Sequence, residues 1–287
     1  MKQALIRMPW KQTDVWFLGD FQWAGKRSEG TALDRLKHTI DDALESESRD
    51  KEVRFIGMGD YTDFASPSNR QRIRAAALYD TAEGIIDDKA LELTEEIYES
   101  ALKPTKGKWL GLVEGHHFHE LKHGDTTDMR LCKMLDAEFF GSTGLLNLQF
   151  VVPSGARIPV VIWFSHGTGN GQTGYYPLTR LEKKSAEWEQ VDVFAMGHTT
   201  KMVAEFQNKV FPRWGNKGHD LSHRKVILIG TGGYSKTYVL GATQGQIPRG
   251  GYAEQKLLNA AIIGSPVLHI RPRIRQGHVS VDITAEG

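Results

Sequence analysis

The chain has 287 residues, of which 40% are apolar and 25% are charged, so it is long enough to bury a substantial core and ordinary for a globular protein. Its net charge of +1 gives no support for a broad nucleic-acid-binding face, and its single cysteine, Cys132, excludes an internal disulfide and a cysteine-based zinc site. The N-terminal residues lack the apolar region of a secretory signal, and no apolar stretch approaches the roughly 20 residues that span a bilayer, so we expect a soluble cytoplasmic protein.

The first part of the chain predicts a βαβ unit. Residues 15–18 and 53–58 are apolar runs that end in Gly-Asp and predict two buried strands. Between them, Thr31 is the expected N-cap of an amphipathic helix that continues to about Glu45. This order predicts a right-handed crossover between parallel strands.

Charged residues dominate the next stretch, residues 68–102, which predicts two helices broken near Gly84. A strand over 109–113 and a helix over 125–137 are expected to follow. The remainder predicts a helix at 178–188 and a series of strands, at 146–152, 159–164, 191–195, 202–206, 225–229, 267–270 and 279–283. No internal repeat or clear linker interrupts the chain, which favours a single domain.

Polar stops lie where five of the apolar runs end. They read Leu18-Gly19-Asp20-Phe21-Gln22, Gly59-Asp60-Tyr61-Thr62-Asp63, Glu114-Gly115-His116-His117, Phe164-Ser165-His166-Gly167 and Met196-Gly197-His198-Thr199-Thr200. Ligands bind at the carboxyl ends of strands in open α/β sheets, so carboxylates and imidazoles in this position predict a metal site. A glycine-dense segment, 167–174, lacks the lysine of a phosphate-binding loop and is interpreted as a tight active-site loop.

The order of these stops resembles the motif order of the calcineurin-like metallophosphoesterase superfamily, which runs Asp-x-His, Gly-Asp-x-x-Asp/Asn, Gly-Asn-His-Asp/Glu, His and Gly-His-x-His. The match covers residues 15–200, and residues 251–266 also resemble the C-terminal part of phage and prophage members. The resemblance implies an α/β fold, a sandwich of two mixed β-sheets flanked by helices. It implies one domain over residues 1–287, in which residues 201–287 complete the second sheet.

The resemblance also implies roles for individual residues. It places Asp20, Asp60, His166 and His198 at metal-ligand positions, with Asp60 bridging two ions, and His117 as the acid that protonates the leaving oxygen. Three further residues are expected to support the site, Asp63 as a hydrogen-bond partner, Thr200 beside His198, and His119 as a candidate to replace a lost ligand.

Departures from the family pattern predict a lopsided centre. Gln22 and Thr200 stand where the family has histidines, and His116 stands where it has asparagine. One ion would then be held tightly by Asp60, His116, His166 and His198, a donor set that suits Mn, Zn, Fe or Ni. A second site, formed by Asp20, Asp60 and weakly by the Gln22 amide oxygen, would hold Mn or Mg loosely or not at all.

The implied activity is metal-dependent hydrolysis of a phosphate ester by activated water, with a phosphodiesterase or nuclease favoured over a phosphomonoesterase. Nucleic acid is therefore a candidate substrate, while the physiological substrate and the oligomeric state stay open. The alternative is a catalytically degraded scaffold or partner-recruiting subunit, which the loss of two ligand histidines suggests and the retention of His117 opposes.

Simpler interpretations of the same residues also stay open. Gly-Asp commonly ends a strand, so Asp20 and Asp60 also fit turn positions. The basic stretch 271–275 fits either a solvated face or a contact with a phosphate backbone. The seven tryptophans are interpreted as core or pocket-wall residues.

Overall fold

A computed structural model describes residues 1–26, 29–76, 78–169, 173, 175–215, 218–240, 243–244, 247–248, 252–255, 257, 259–276 and 278–287. Its strands are β1 Lys2–Met8, β2 Gln12–Leu18, β3 Lys51–Gly57, β4 Trp109–Leu112, β5 Thr143–Val151, β6 Arg157–Ser165, β7 Val193–Met196, β8 Met202–Gly215, β9 Gly218–Thr231, β10 Thr243–Gln244, β11 Ile247–Pro248, β12 Val267–Arg275 and β13 His278–Glu286. Its α-helices are α1 Leu33–Glu45, α2 Pro67–Ala75, α3 Asp80–Ile97, α4 Thr127–Leu135, α5 Tyr176–Glu187 and α6 Tyr252–Gln255. A π-helical turn at Tyr98–Leu102 and a 3₁₀ turn at Lys103–Thr105 extend α3.

Two mixed sheets form the centre of the fold. One has six strands in the order β1-β5-β6-β7-β9-β8, and the other has five in the order β13-β12-β2-β3-β4. Strands β2, β3 and β4 are mutually parallel, as are β6, β7 and β9, whereas β12 and β8 add antiparallel. The predicted fold class, two mixed β-sheets flanked by helices, is confirmed.

The inner faces of the two sheets pack against each other. Phe17 and Ile56 from one sheet share a buried apolar cluster with Leu148, Ile162 and Ile229 from the other. Because side chains alternate between the faces of a strand, the neighbouring residues point outward to a helical layer. The fold therefore has four layers, the two sheets in the middle and a helix layer on the outer face of each.

Helices α1, α3 and α4 cover the outer face of the five-stranded sheet. Leu36 and Leu131 pack there with Phe55, which alternates with the inward-facing Ile56. Helix α5 covers the six-stranded sheet, where Leu181 packs against Trp163. Trp163 lies between Ile162 and Phe164, both of which face the sandwich interior, so strand alternation directs the indole toward α5.

The last third of the chain contributes to both sheets. Strands β8 and β9 form a long antiparallel hairpin at one edge of the six-stranded sheet. Strands β12 and β13 add to β2 in the other sheet. The described part of the chain contains no helix that is long and apolar enough to cross a membrane.

Three local predictions differ from the structure. Thr31 does not cap α1, because its hydroxyl donates to the carbonyls of Phe21 and Gln22 instead, at 2.8 and 3.2 Å. Gly84 lies inside α3, and the break between α2 and α3 falls earlier, before the N-cap residue Tyr79. Strand β1 was not predicted, since most of its residues are exposed and it lacks an apolar run.

Candidate metal centre

Five strands deliver the polar stops to one edge of the sandwich. Strands β2, β3 and β4 end at the segments that carry Asp20, Asp60 and His116, and strands β6 and β7 end at those that carry His166 and His198. Parallel neighbours end at the same edge, so residues far apart in sequence become adjacent. The structure thus brings the five stops together.

Backbone contacts fix the loops at this edge. The amide of Asp20 donates to the Gly59 carbonyl at 2.8 Å, and the amide of Gln22 donates to the Asp60 carbonyl at 2.9 Å. Gly115 sits so close to the second stop that a Cβ there would lie 2.0 Å from the amide nitrogen of Asp60. Glycine is therefore required before His116, because any side chain would push the third stop away from the centre.

Unusual backbone conformations concentrate in the stops. Of the eight non-glycine residues with positive φ in the described chain, five belong to the stops, namely Asp20 (50°), Gln22 (47°), Asp60 (52°), His198 (66°) and Thr200 (50°). For a β-branched residue such as Thr200 this conformation is a genuine outlier. Such strain costs on the order of 1–3 kcal/mol per residue and clusters at functional sites.

Two carboxylates and an imidazole form the first group of donors, which we call the carboxylate group. Asp20, Asp60 and His166 each place a ligand atom within 4.8 Å of the others, and all three are buried. Asp20 Oδ1, Asp60 Oδ2 and His166 Nε2 have no hydrogen-bond partner within the described residues. Buried polar atoms normally find partners, so three orphans at one point indicate a site for a cation.

Three imidazoles form the second group, which we call the histidine group. His116, His166 and His198 also place ligand atoms within 4.8 Å of one another. The Nδ1 atoms of His116 and His198 are 3.2 Å apart, while Nδ1 of His166 lies 2.7 Å from the Met58 carbonyl. That carbonyl fixes the His166 ring with Nε2 facing Asp60 and without a hydrogen-bond partner within the described residues, the arrangement expected of a metal-binding histidine.

The two groups divide the donors differently from the predicted sets. Asp60 was expected with the three histidines, whereas here it clusters with Asp20, and His166 belongs to both groups. The reason lies in the Asp60 carboxylate, whose Oδ1 accepts the amides of His116 and His117 while Oδ2 faces His166 at 3.3 Å. The four-residue tight site stays a prediction.

The two buried carboxylates at the centre are only partly compensated by the nearby imidazoles. Burial, with the nearby Asp60 charge, raises the pKa of Asp20 to about 7, although His166 opposes this. Burial disfavours the His166 cation, but the charge of Asp60 outweighs it and raises the pKa of His166 to about 9. Burial, followed by the charges of His166 and His116, lowers the pKa of His198 to about 4. The residues therefore fit a divalent cation, because its charge compensates both carboxylates and its coordination uses the orphaned atoms.

His117 lies beside the centre and has its own partner. Its Nδ1 is 2.6 Å from Asp63 Oδ1, while its backbone amide donates to Asp60. Burial lowers the pKa of His117, but the hydrogen bond that it donates to Asp63 and the charge of Asp60 outweigh this and raise it. The pairing occupies Nδ1, so Nε2 is the atom available to exchange a proton with a ligand.

The other predicted site residues, Gln22, Thr200 and His119, each contact a neighbouring residue of the protein. The Gln22 amide oxygen accepts a 2.8 Å hydrogen bond from Ser235. Thr200 lies beside Gly233, so close that a Cβ added to this glycine would be 3.4 Å from the Thr200 methyl group. His119 is buried and contacts Asp87 at 2.7 Å, which uses its Nε2 away from the two donor groups. Of the predicted active-site loop, residues 167–174, only 167–169 and 173 are among the described residues. Of the stretch that resembles phage members, residues 251–266, positions 251, 256 and 258 lie outside them.

Two residues that no sequence pattern points to hold the third stop, Glu114-Gly115-His116-His117, in place. The Arg70 guanidinium donates to the carbonyls of Ala65, His116 and Phe118. Asp128, fully buried on α4, accepts the amide of Gly115 at 3.0 Å. Both residues form hydrogen bonds with backbone groups that are distant in sequence, so no local motif identifies them.

A groove of about 980 Å³ opens beside the centre, between the third and fourth stops and α5. His116 and His166 line its inner end, and Arg180 and Lys183 line its outer wall. We call it the α5 groove.

No family model and no curated protein matches this sequence. Among solved structures, the chain is similar to Vacuolar Protein Sorting 29 from Cryptosporidium parvum (TM-score 0.32, 12% identity, 96% of this chain and 98% of that one). It is also similar to the calcineurin-like phosphoesterase YfkN from Bacillus subtilis (TM-score 0.38, 9% identity, 96% and 90%) and to a single mutant of Vps29 from Entamoeba histolytica (TM-score 0.30, 12% identity, 96% and 99%). At these low scores the likenesses assign neither a family nor an activity.

Proposed function

We propose that the chain is a divalent-metal-dependent phosphoesterase that acts on phosphate diesters. One observation carries the proposal, the convergence of three orphaned buried atoms, Asp20 Oδ1, Asp60 Oδ2 and His166 Nε2, beside two further imidazoles. The motif order that resembles calcineurin-like phosphoesterases supports the same chemistry.

The histidine group with Asp60 would hold the tightly bound ion, and its mixed donors suit Mn, Zn, Fe or Ni. Asp20, Asp60 and the Gln22 amide oxygen would hold a weaker Mn or Mg ion, since oxygen donors suit hard cations. When bound, a divalent cation supplies Lewis acidity and neutralises charge on the phosphoryl oxygens.

His117 is the proposed general acid. Asp63 anchors Nδ1 and favours the imidazolium, which leaves Nε2–H to protonate the departing alkoxide. A positioned acid of this kind typically contributes about 10²–10⁴-fold.

Support for a diester comes from the open α5 groove. Its volume of about 980 Å³ is at the upper end of small-ligand sites, far more than one phosphate group fills. Room beside the centre suits an ester that carries an organic substituent on each side of the phosphorus.

The test is hydrolysis of bis-p-nitrophenyl phosphate and of p-nitrophenyl phosphate with Mn, Mg, Ni and Zn in turn. We expect metal-dependent turnover with the diester preferred. A preference for the monoester would overturn the diester assignment. No hydrolysis with any metal, together with no bound metal in the purified protein, would favour the scaffold alternative. The hydrogen bond from Ser235 to the Gln22 amide oxygen supports that alternative, because it engages a predicted ligand atom.

A further inference from the structure

The α5 groove is continuous with the candidate centre and extends well beyond it. Its inner end is lined by His116 and His166, so a phosphate held at the centre would face directly into it. Ser165, Thr168 and exposed residues of α5 also line the groove. A ligand anchored at the centre therefore has room for a substituent along a path toward α5.

Cations line the outer wall of this path. Arg180, Lys183 and Lys184 occur within five residues of α5, whereas Glu114 and Glu187 are the carboxylates that line the groove. Residues three apart lie on the same helix face, so Arg180 and Lys183 are neighbours there. Lys184 is already paired with Glu187 at 2.7 Å, whereas Lys183 makes no ion pair within the described residues.

Arg180 is held in an orientation toward the groove. Its Nε donates to the Tyr176 hydroxyl at 2.8 Å, and its Nη1 donates to Thr168 Oγ1 at 3.3 Å. Both partners also line the groove. These contacts are to neutral groups, so the guanidinium keeps its full charge for an incoming anion.

The floor of the groove is apolar. Trp163, which strand alternation directs toward α5, lies there with Leu181 and Met196, and Phe118 lines the same groove near its inner end. Trp163 is only 7% exposed, so it contributes little open ring surface to the groove. A cationic wall over an apolar floor matches an alternation of phosphate and sugar–base units.

We propose that the α5 groove binds a single-stranded oligonucleotide, with the scissile phosphate at the candidate centre and a neighbouring phosphate on Arg180 and Lys183. The inference rests on the proposed function, since it names the substrate class of the same site. Phosphate contacts of this kind position a strand without reading its sequence.

The first test measures binding without turnover, in a chelator. A fluorescently labelled ten-residue oligothymidylate is titrated with protein at several salt concentrations, and anisotropy gives Kd. For a single strand, each lost phosphate contact reduces the slope of log K against log salt by about 0.7, so Arg180→Ala/Lys183→Ala, which removes the contact with one phosphate, should reduce it by about 0.7. Lys89→Ala/Lys106→Ala removes the same charge at exposed positions outside the groove and should leave the slope unchanged.

The second test uses the metal-loaded protein and compares kcat/KM for oligothymidylate with kcat/KM for bis-p-nitrophenyl phosphate. We expect this ratio to fall about tenfold or more in Arg180→Ala/Lys183→Ala and to stay constant in the control variant. An unchanged slope and ratio would overturn the groove assignment, and so would equal affinity for a duplex of the same length. If bis-p-nitrophenyl phosphate is not hydrolysed at all, the proposed function fails, while the binding test in chelator still decides the groove.

Discussion

Two buried aspartate–histidine pairs in this protein have opposite surroundings. Asp14 on β2 contacts His269 on β12 at 2.8 Å, and Lys51 and Gln12 also contact the same carboxylate, at 2.6 and 3.2 Å. Asp60 is equally buried, but within the described residues it forms no ion pair with lysine or arginine, and its Oδ2 has no hydrogen-bond partner.

The difference separates a structural pair from a candidate cation site. The lysine and the histidine compensate the charge of Asp14, so the pair is complete in the folded chain. Asp60 lies beside a second buried carboxylate, Asp20, and the nearby imidazoles compensate the two charges only in part, so an added cation would complete the balance. Burial alone does not distinguish the two pairs, whereas the number of compensating groups for each carboxylate does.

The largest expected effect comes from the same substitution in the two pairs. Asp60→Asn should lower bis-p-nitrophenyl phosphate turnover by about 10³-fold and remove tightly bound metal, because charge stabilisation of several kcal/mol is lost. Asp14→Asn should keep turnover. In chelator, Asp14→Asn should lower the free energy of unfolding by about 2 kcal/mol, because it removes the charge that Lys51 and His269 compensate. Turnover and metal content decide the comparison, denaturant titration checks the Asp14 variant, and equal losses of turnover in the two variants would contradict the comparison.

His117→Ala should affect the acid step but not metal binding. We expect a loss of about 10²–10⁴-fold on a dinucleoside phosphate, whose leaving group is an alkoxide, and a much smaller loss on bis-p-nitrophenyl phosphate, whose leaving group needs no proton. The exposed His123 provides the matched control, and His123→Ala should behave like the wild type. Equal losses on both substrates would refute the acid role.

Asp128 tests whether the third stop needs its buried support. Asp128→Ala removes the acceptor for the Gly115 amide and should lower turnover by about 10–100-fold, as outer partners of metal ligands typically do. Asp128→Asn keeps an oxygen acceptor and should recover most of the activity. If both variants lose activity equally with unchanged melting temperatures, the hydrogen bond is not the reason.

The smallest effect concerns the structural pair and depends on pH. The hydrogen bond to Asp14 raises the pKa of His269, so this stabilisation is fully present below the ordinary histidine pKa and is lost as pH rises through the folded value. Burial raises the pKa of Asp14, but His269, Lys51 and Gln12 outweigh it and lower the pKa to about 2, so its contribution disappears only in acid. His269→Gln should therefore cost about 1–2 kcal/mol at pH 5–6 and less at pH 9. A pH-independent difference in the free energy of unfolding would contradict this.

Part of the fold could be predicted from local patterns. The strands β2 and β3 and the helix between them follow from buried apolar runs that end in Gly-Asp, and the structure pairs these strands in parallel. The hairpin of β8 and β9 was predicted far too short, because residues such as Gln207 and Asn208 belong to a ribbon that is not wholly buried. Apolar patterns report burial, so they miss strands that extend beyond the core.

The candidate site shows the same limit. The five stops were found because carboxylates and histidines at strand ends are visible in sequence, whereas their roles stay predictions. Arg70 and Asp128 were not found, because each contacts backbone groups that only the tertiary fold brings near. Likewise, only the fold shows that His166 belongs to both donor groups.

The central claim is a lopsided metal centre, and counting metal in protein purified without chelator tests it most directly. We predict one equivalent of a transition metal that survives gel filtration in the wild type, and a second that appears only with added Mn or Mg. Two tightly bound equivalents, or none, would contradict the account.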